Sequence, residues 1–129
     1  DDGGAHLSAG VGVAEALVML RHQTARALIQ QFAELADYSH GFALTLRRER
    51  FEIERRRRRV PVRVDELGDY AIPLPGSPPF IWINPLTNVG IDRLARTCAH
   101  EATHLAFPDL PHGRGFDQRV TRLRRLERL

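Results

Sequence analysis

The chain has 129 residues, 43% of them hydrophobic and 27% charged, which fits one soluble globular domain rather than two. No apolar run approaches the ~20 residues that span a bilayer. The opening Asp1-Asp2-Gly3-Gly4 is the reverse of a signal peptide's basic start, and the single cysteine, Cys98, excludes an internal disulfide and fits a reducing, cytoplasmic setting. The net charge is only +3, yet all 19 basic residues are arginine and they are unevenly placed. Residues 47–64 hold nine arginines against three glutamates, residues 112–129 hold six against two acids, and the remainder is acidic.

Residues 1–12 read as a flexible terminal segment, with the single domain over 13–129. Leu17, Ala25, Leu28, Phe32 and Leu35 recur at three- and four-residue steps and predict a helix over 13–36, with His22 at the margin of its apolar face. Residues 42–59 carry two conflicting signals. Phe42, Leu44 and Leu46, then Phe51 and Ile53, alternate as strands do, whereas the Glu52–Arg56 spacing suits a helix. The alternation tips 50–55 toward strand. Residues 60–64 alternate around Pro61 and predict an edge strand. A further strand is expected over 70–74, followed by an irregular loop through Pro73, Pro75, Gly76, Pro78 and Pro79.

Residues 80–84, Phe-Ile-Trp-Ile-Asn, form the strongest strand pattern in the chain and are closed by Pro85. A helix is expected from 88 or 90 to 106, ending before Pro108, then a loop over 107–113 and a last helix from 115 with Phe116, Val120 and Leu123 buried. The expected fold is therefore α+β: an N-terminal helix, a sheet of three or four short strands, a metal-binding helix and a C-terminal helix.

Within the helix before Pro108 the chain reads His100-Glu101-Ala102-Thr103-His104. Residues four apart lie one above the other on a helix, so both imidazoles can reach one zinc ion, and the glutamate between them is placed to act as a general base on water. Ile91, Leu94, Ala95, Cys98, Ala102, Leu105 and Ala106 gather in an arc of roughly 120° at 100° per residue, with the histidines expected on the opposite, cleft-facing side. Cys98 falls in the apolar stripe and reads as a small core residue. A catalytic zinc takes three protein ligands and keeps a fourth position for water. His112 is the leading third ligand, in a loop stiffened by Pro108 and Pro111, where Gly113 and Gly115 would let the backbone come close; Asp109, Asp117 and Glu127 are the alternatives. The spacing departs from the longer metzincin pattern.

The strand over 80–84, the helix with His100-Glu101-x-x-His104, and His112-Gly113-x-x-Phe116 opening the last helix together resemble the SprT-like (Spartan-type) zinc metallopeptidases. The specific match is confined to about residues 80–120. The resemblance implies a small zincin-type α+β domain with zinc held by His100, His104 and His112 and with Glu101 as general base. Some relatives act on proteins bound or crosslinked to DNA.

The expected activity is thus hydrolysis of peptide bonds, with an amidase, a non-enzymatic nucleic-acid-binding module on a zincin scaffold, or an effector domain of a longer chain as alternatives. The strand over 80–84 offers a rim to which an extended peptide could add, with Trp82, Ile83 and Asn84 in contact with substrate. Arg55, Arg56, Arg57, Arg58 and Arg59, with Arg122 and Arg125, would bind nucleic-acid phosphates without base preference, or else form solvated faces.

Overall fold

A computed structural model describes residues 9–59, 62–64, 68–71 and 78–127. In chain order its elements are α1 (Ala9–Leu35), β1 (Ala43–Thr45), α2 (Arg48–Arg58), β2 (Val62–Val64), β3 (Gly68–Ala71), β4 (Phe80–Ile83), α3 (Ile91–Ala106) and α4 (Arg114–Glu127), a mixed α+β arrangement with more helix than strand. The terminal segment 1–8, Pro61 and most of the expected proline loop, 72–77, lie outside the described residues. Helix α1 begins at Ala9, so part of the segment expected to be flexible is helical.

Strand β4 organises the sheet, whose strand order is β1-β4-β3-β2. β4 runs parallel to β1, with Phe80 opposite Ala43, and antiparallel to β3, with Phe80 opposite Ala71. All four of its residues are buried because both faces of the sheet are covered. Alternate side chains go to opposite sides. Ile81 and Ile83 enter the main core with Ile29 and Phe32 of α1, Cys98 and Leu105 of α3, and Phe116 and Leu123 of α4. Phe80 and Trp82 face the other way and pack with Phe51 of α2. The expected edge strand does lie at the sheet's edge, as β2.

The expectation of a strand over 50–55 is corrected: these residues belong to α2. Arg48 and Arg55 both pair with Glu52, at 3.5 and 2.7 Å, and Arg58 pairs with Glu54 at 2.7 Å, as does Arg57. Three- and four-residue spacing brings these charges together only on a helix. The alternation of Phe51 and Ile53 is therefore incidental: Phe51 is 1% exposed and Ile53 62%. Arg58, one helical heptad after Phe51, is buried over the Phe80 ring and donates to the Pro78 carbonyl at 2.5 Å. Arg59, at φ 53°, ends the helix.

Helix α1 closes in the expected region. Asp37 adopts φ 62°, the Asp37 amide donates to Glu34 O at 3.0 Å and the Tyr38 amide to Ala33 O at 2.8 Å, a Schellman ending built on a non-glycine residue. His22, placed at the face margin by sequence, has its Nε2 3.0 Å from the carbonyl of Leu44, which ties α1 to β1.

The helical reading of α2 separates two neighbouring side chains sharply. Phe51→Ala is expected to lower the unfolding free energy by about 3–5 kcal/mol in urea titrations, and Ile53→Ala by less than about 0.5 kcal/mol. Comparable losses at both positions would return the segment to a strand with one buried face.

Candidate metal centre

Helix α3 is aimed by the loop that precedes it. The Asn84 side chain accepts the Leu86 amide at 3.0 Å, and Asn88 Nδ2 donates to the Asn84 carbonyl at 2.8 Å. The buried Thr97 hydroxyl donates to the Asn88 side-chain oxygen, which fixes the first two turns of the helix to that loop. Leu94, Cys98, Ala99, Ala102 and Leu105 then pack with Ala25, Ile29 and Ala33 of α1. The Cys98 thiol lies 3.6 Å from the Ala25 carbonyl. This packing sets the rotation of α3 and hence the direction in which His100 and His104 project.

The imidazoles of His100 and His104 are one turn apart, with ring centroids 4.9 Å from each other. After Phe107 the chain reverses through Pro108 and Pro111, and His112 returns to them, its ring 5.0 Å from His100 and 4.8 Å from His104. His112 Nε2 is 3.0 Å from His104 Nε2. One ligand atom from each of the three residues can be chosen so that all lie within 4.8 Å of one another. It is the one group of three histidine, cysteine or acidic residues so placed among the described residues; Asp109, Asp117 and Glu127 do not join it.

The Phe116 ring is a part of the site whose role sequence reading missed. It is fully buried at the start of α4, with centroid distances of 4.7, 4.6 and 5.0 Å to His100, His104 and His112. One aromatic side chain thus packs against all three imidazoles and restricts their rotation. The spacing signal was present, since Phe116 follows His112 by four residues and falls one turn into α4.

Two expectations about the surroundings are corrected. The histidines do not both face an open cleft: His104 and Glu101 are each 0% exposed, while His100 is half-buried and His112 exposed. Packing of α4 against α3 closes the side that the helical pattern left polar, so among the described residues the exposed members of the centre are His100, in part, and His112. Nor do Gly113 and Gly115 permit close backbone approach, because an added Cβ would meet nothing within 4 Å at either. Gly113 is needed for its backbone, at φ 154°, a region L residues rarely adopt.

The donor set fits a divalent zinc ion. Imidazole nitrogens are zinc ligands at 2.0–2.1 Å, and tetrahedral ligation at that length separates the nitrogens by about 3.4 Å, close to the 3.0 Å between His104 and His112. Three imidazoles keep the fourth position for water or substrate. The buried Glu101 carboxylate lies on the same helix between His100 and His104, on the side of Cys98. Burial, with a smaller contribution from the Glu101 charge, pushes the Cys98 thiol far up, so this cysteine is a core residue and no nucleophile.

The residues expected to touch substrate are otherwise engaged. β4 is hydrogen-bonded along both edges and cannot accept a further strand, which removes the rim assigned to it. Trp82 is buried on the α2 side beneath Arg48, whose guanidinium lies 4.9 Å from its ring centroid; Ile83 is in the main core, and Asn84 holds the turn before α3. In the first arginine block, Arg55 holds the Glu52 carboxyl below its ordinary range, and Arg57 with Arg58 does the same to Glu54. Arg56 and Arg59 are exposed. Arg122 and Arg125 lie exposed on α4.

Two measurements check this arrangement. Zinc titration by a competing chelator should give about one ion per chain, with affinity falling at least about 100-fold in His112→Ala and unchanged in Asp109→Ala and Asp117→Ala; the opposite ranking would move the third ligand to an acid. The Cys98 thiol should stay unreactive toward a disulfide reagent at pH 8 until the chain is unfolded, because its raised pKa suppresses the thiolate; rapid labelling of the native chain would contradict its burial. Set against protein-family models, curated proteins and solved structures, the chain gives no significant match in any of the three comparisons, so its chemistry is read from the side chains that meet between α3 and α4.

Proposed function

We propose that the chain is a zinc-dependent hydrolase of peptide bonds, with a zincin-type domain of the SprT-like kind. The observation that carries this reading is the convergence of His100, His104 and His112, with the buried Glu101 next to His100 on the same helix. When bound, zinc supplies Lewis-acid polarisation of a carbonyl and lowers the pKa of water toward ~7.

The chain's own residues supply the rest. His100, His104 and His112 hold the ion, and the Phe116 ring keeps their planes in place before it binds, which limits the ordering that binding requires. Glu101 accepts a proton from the attacking water on its carboxylate and delivers it to the leaving amine. Its full burial keeps bulk water from competing for that proton.

An extended peptide can be held by adding a strand to an open sheet edge. At one end of the sheet, β1 is tied to α1 through His22. β2 is the edge strand at the other end, next to β3, against which α3 packs. The peptide-binding role expected of β4 therefore passes to β2.

Glu101→Gln should retain one zinc per chain and slow cleavage of an unfolded protein substrate by about 10²–10⁴-fold, with a zinc chelator abolishing the wild-type activity. Unchanged turnover in the variant, or turnover indifferent to the chelator, would contradict the reading.

A further inference from the structure

The two arginine-rich segments, similar in composition, differ in how far their charge is already spent. In α2, Arg48, Arg55, Arg57 and Arg58 are paired with Glu52 or Glu54. In α4, Arg114, Arg122 and Arg125 are all exposed, and among the described residues no carboxylate lies within ion-pair distance of any of them. Their positions, with Gln118 between them, follow steps of four, four and three residues, which puts them on one helical face. They line a shallow, open groove of about 630 Å³ on the side of α4 away from Phe116, beginning at Gly113, the residue after His112. Arg119 is outside it, with its guanidinium 4.6 Å from the centroid of the Phe107 ring.

We infer that this groove is an anion-binding subsite that recognises an acidic segment of a polypeptide reaching the metal centre. The inference rests on the proposed hydrolase reading and names its substrate class. Eleven residues of helix at 1.5 Å each separate Arg114 from Arg125 by about 16 Å, the span of about five residues of extended peptide. A chain that leaves the centre past the exposed His112 and turns onto the outer face of α4 would meet Arg114 first and then Arg122 and Arg125. Three guanidiniums in a row match two or three carboxylates, each taken by a charge-assisted hydrogen bond.

A nucleic-acid strand fits less well. Tight phosphate binding draws on about 6–10 contacts, and no aromatic side chain lines the groove for a base to stack on. The Asp117 carboxylate, also in the groove, opposes anions of either kind and leaves the three arginines to carry the binding.

The test is fluorescence anisotropy with a labelled hexaglutamate peptide and, in parallel, a labelled six-nucleotide oligothymidine, on the full chain. Hexaglutamate should bind more tightly than the oligonucleotide, more weakly as salt rises, and about tenfold more weakly in Arg114→Gln/Arg122→Gln/Arg125→Gln. Arg122→Gln/Arg125→Gln should give an intermediate loss, and Arg56→Gln/Arg59→Gln, on α2 and its end, no loss; circular dichroism reports whether each variant keeps its fold. Tighter binding of the oligonucleotide, or hexaglutamate binding indifferent to the α4 substitutions, would overturn the inference. Binding is read without turnover, so a failure here leaves the zinc and Glu101 results standing, and a failure of those leaves this one readable.

Discussion

Helix α3 is enclosed on most of its circumference from Leu94 to Leu105, yet its last two turns carry two imidazoles and a carboxylate. Burying such groups costs several kcal/mol unless the surroundings compensate, and a low-dielectric pocket shifts that cost onto whatever charge is brought in. In the proposed reading, a divalent cation held by the three imidazoles offsets that cost. The rest of the fold follows from keeping α3 in that position. α1 sets its rotation, the Asn84–Asn88–Thr97 hydrogen bonds set its start, and Phe116 of α4 closes it over.

The same enclosure explains what could be read in advance. α3 and β4 were legible because each has a single strong pattern: the seven-residue apolar stripe from Ile91 to Ala106, and the unbroken run Phe80-Ile81-Trp82-Ile83. His112 was reachable from loop length and the two prolines. α2 was not, because the alternation of Phe51 and Ile53 counterfeits a strand, and ion pairs with Glu52 and Glu54 decide the matter only once the partners are seen to be paired. The central position of β4 could not be read from one strand's pattern, since a strand buried on both faces looks the same wherever it sits in the sheet. Phe116 looked like one more core residue because burial and contact with three imidazoles leave the same trace in sequence.

The arginine content, conspicuous in composition, divides on inspection into two uses. α2 uses its charge internally, to hold a short helix on the outer face of the sheet and to bury Arg58 against Phe80. α4 keeps three arginines exposed along its outer face, starting two residues after His112. Composition treats the two segments alike; the placement of glutamate at three- and four-residue steps separates them. Among the described residues no helix is long and apolar enough to cross a membrane.

The central claim is that His100, His104 and His112 bind one metal ion together. X-ray absorption at the zinc edge, on the chain loaded with one equivalent, tests it most directly. The expected result is a first shell with three imidazole nitrogens at about 2.0–2.1 Å, reduced to two in His112→Ala. Zinc that washes out of the wild-type chain, or a shell of oxygens alone, would contradict it.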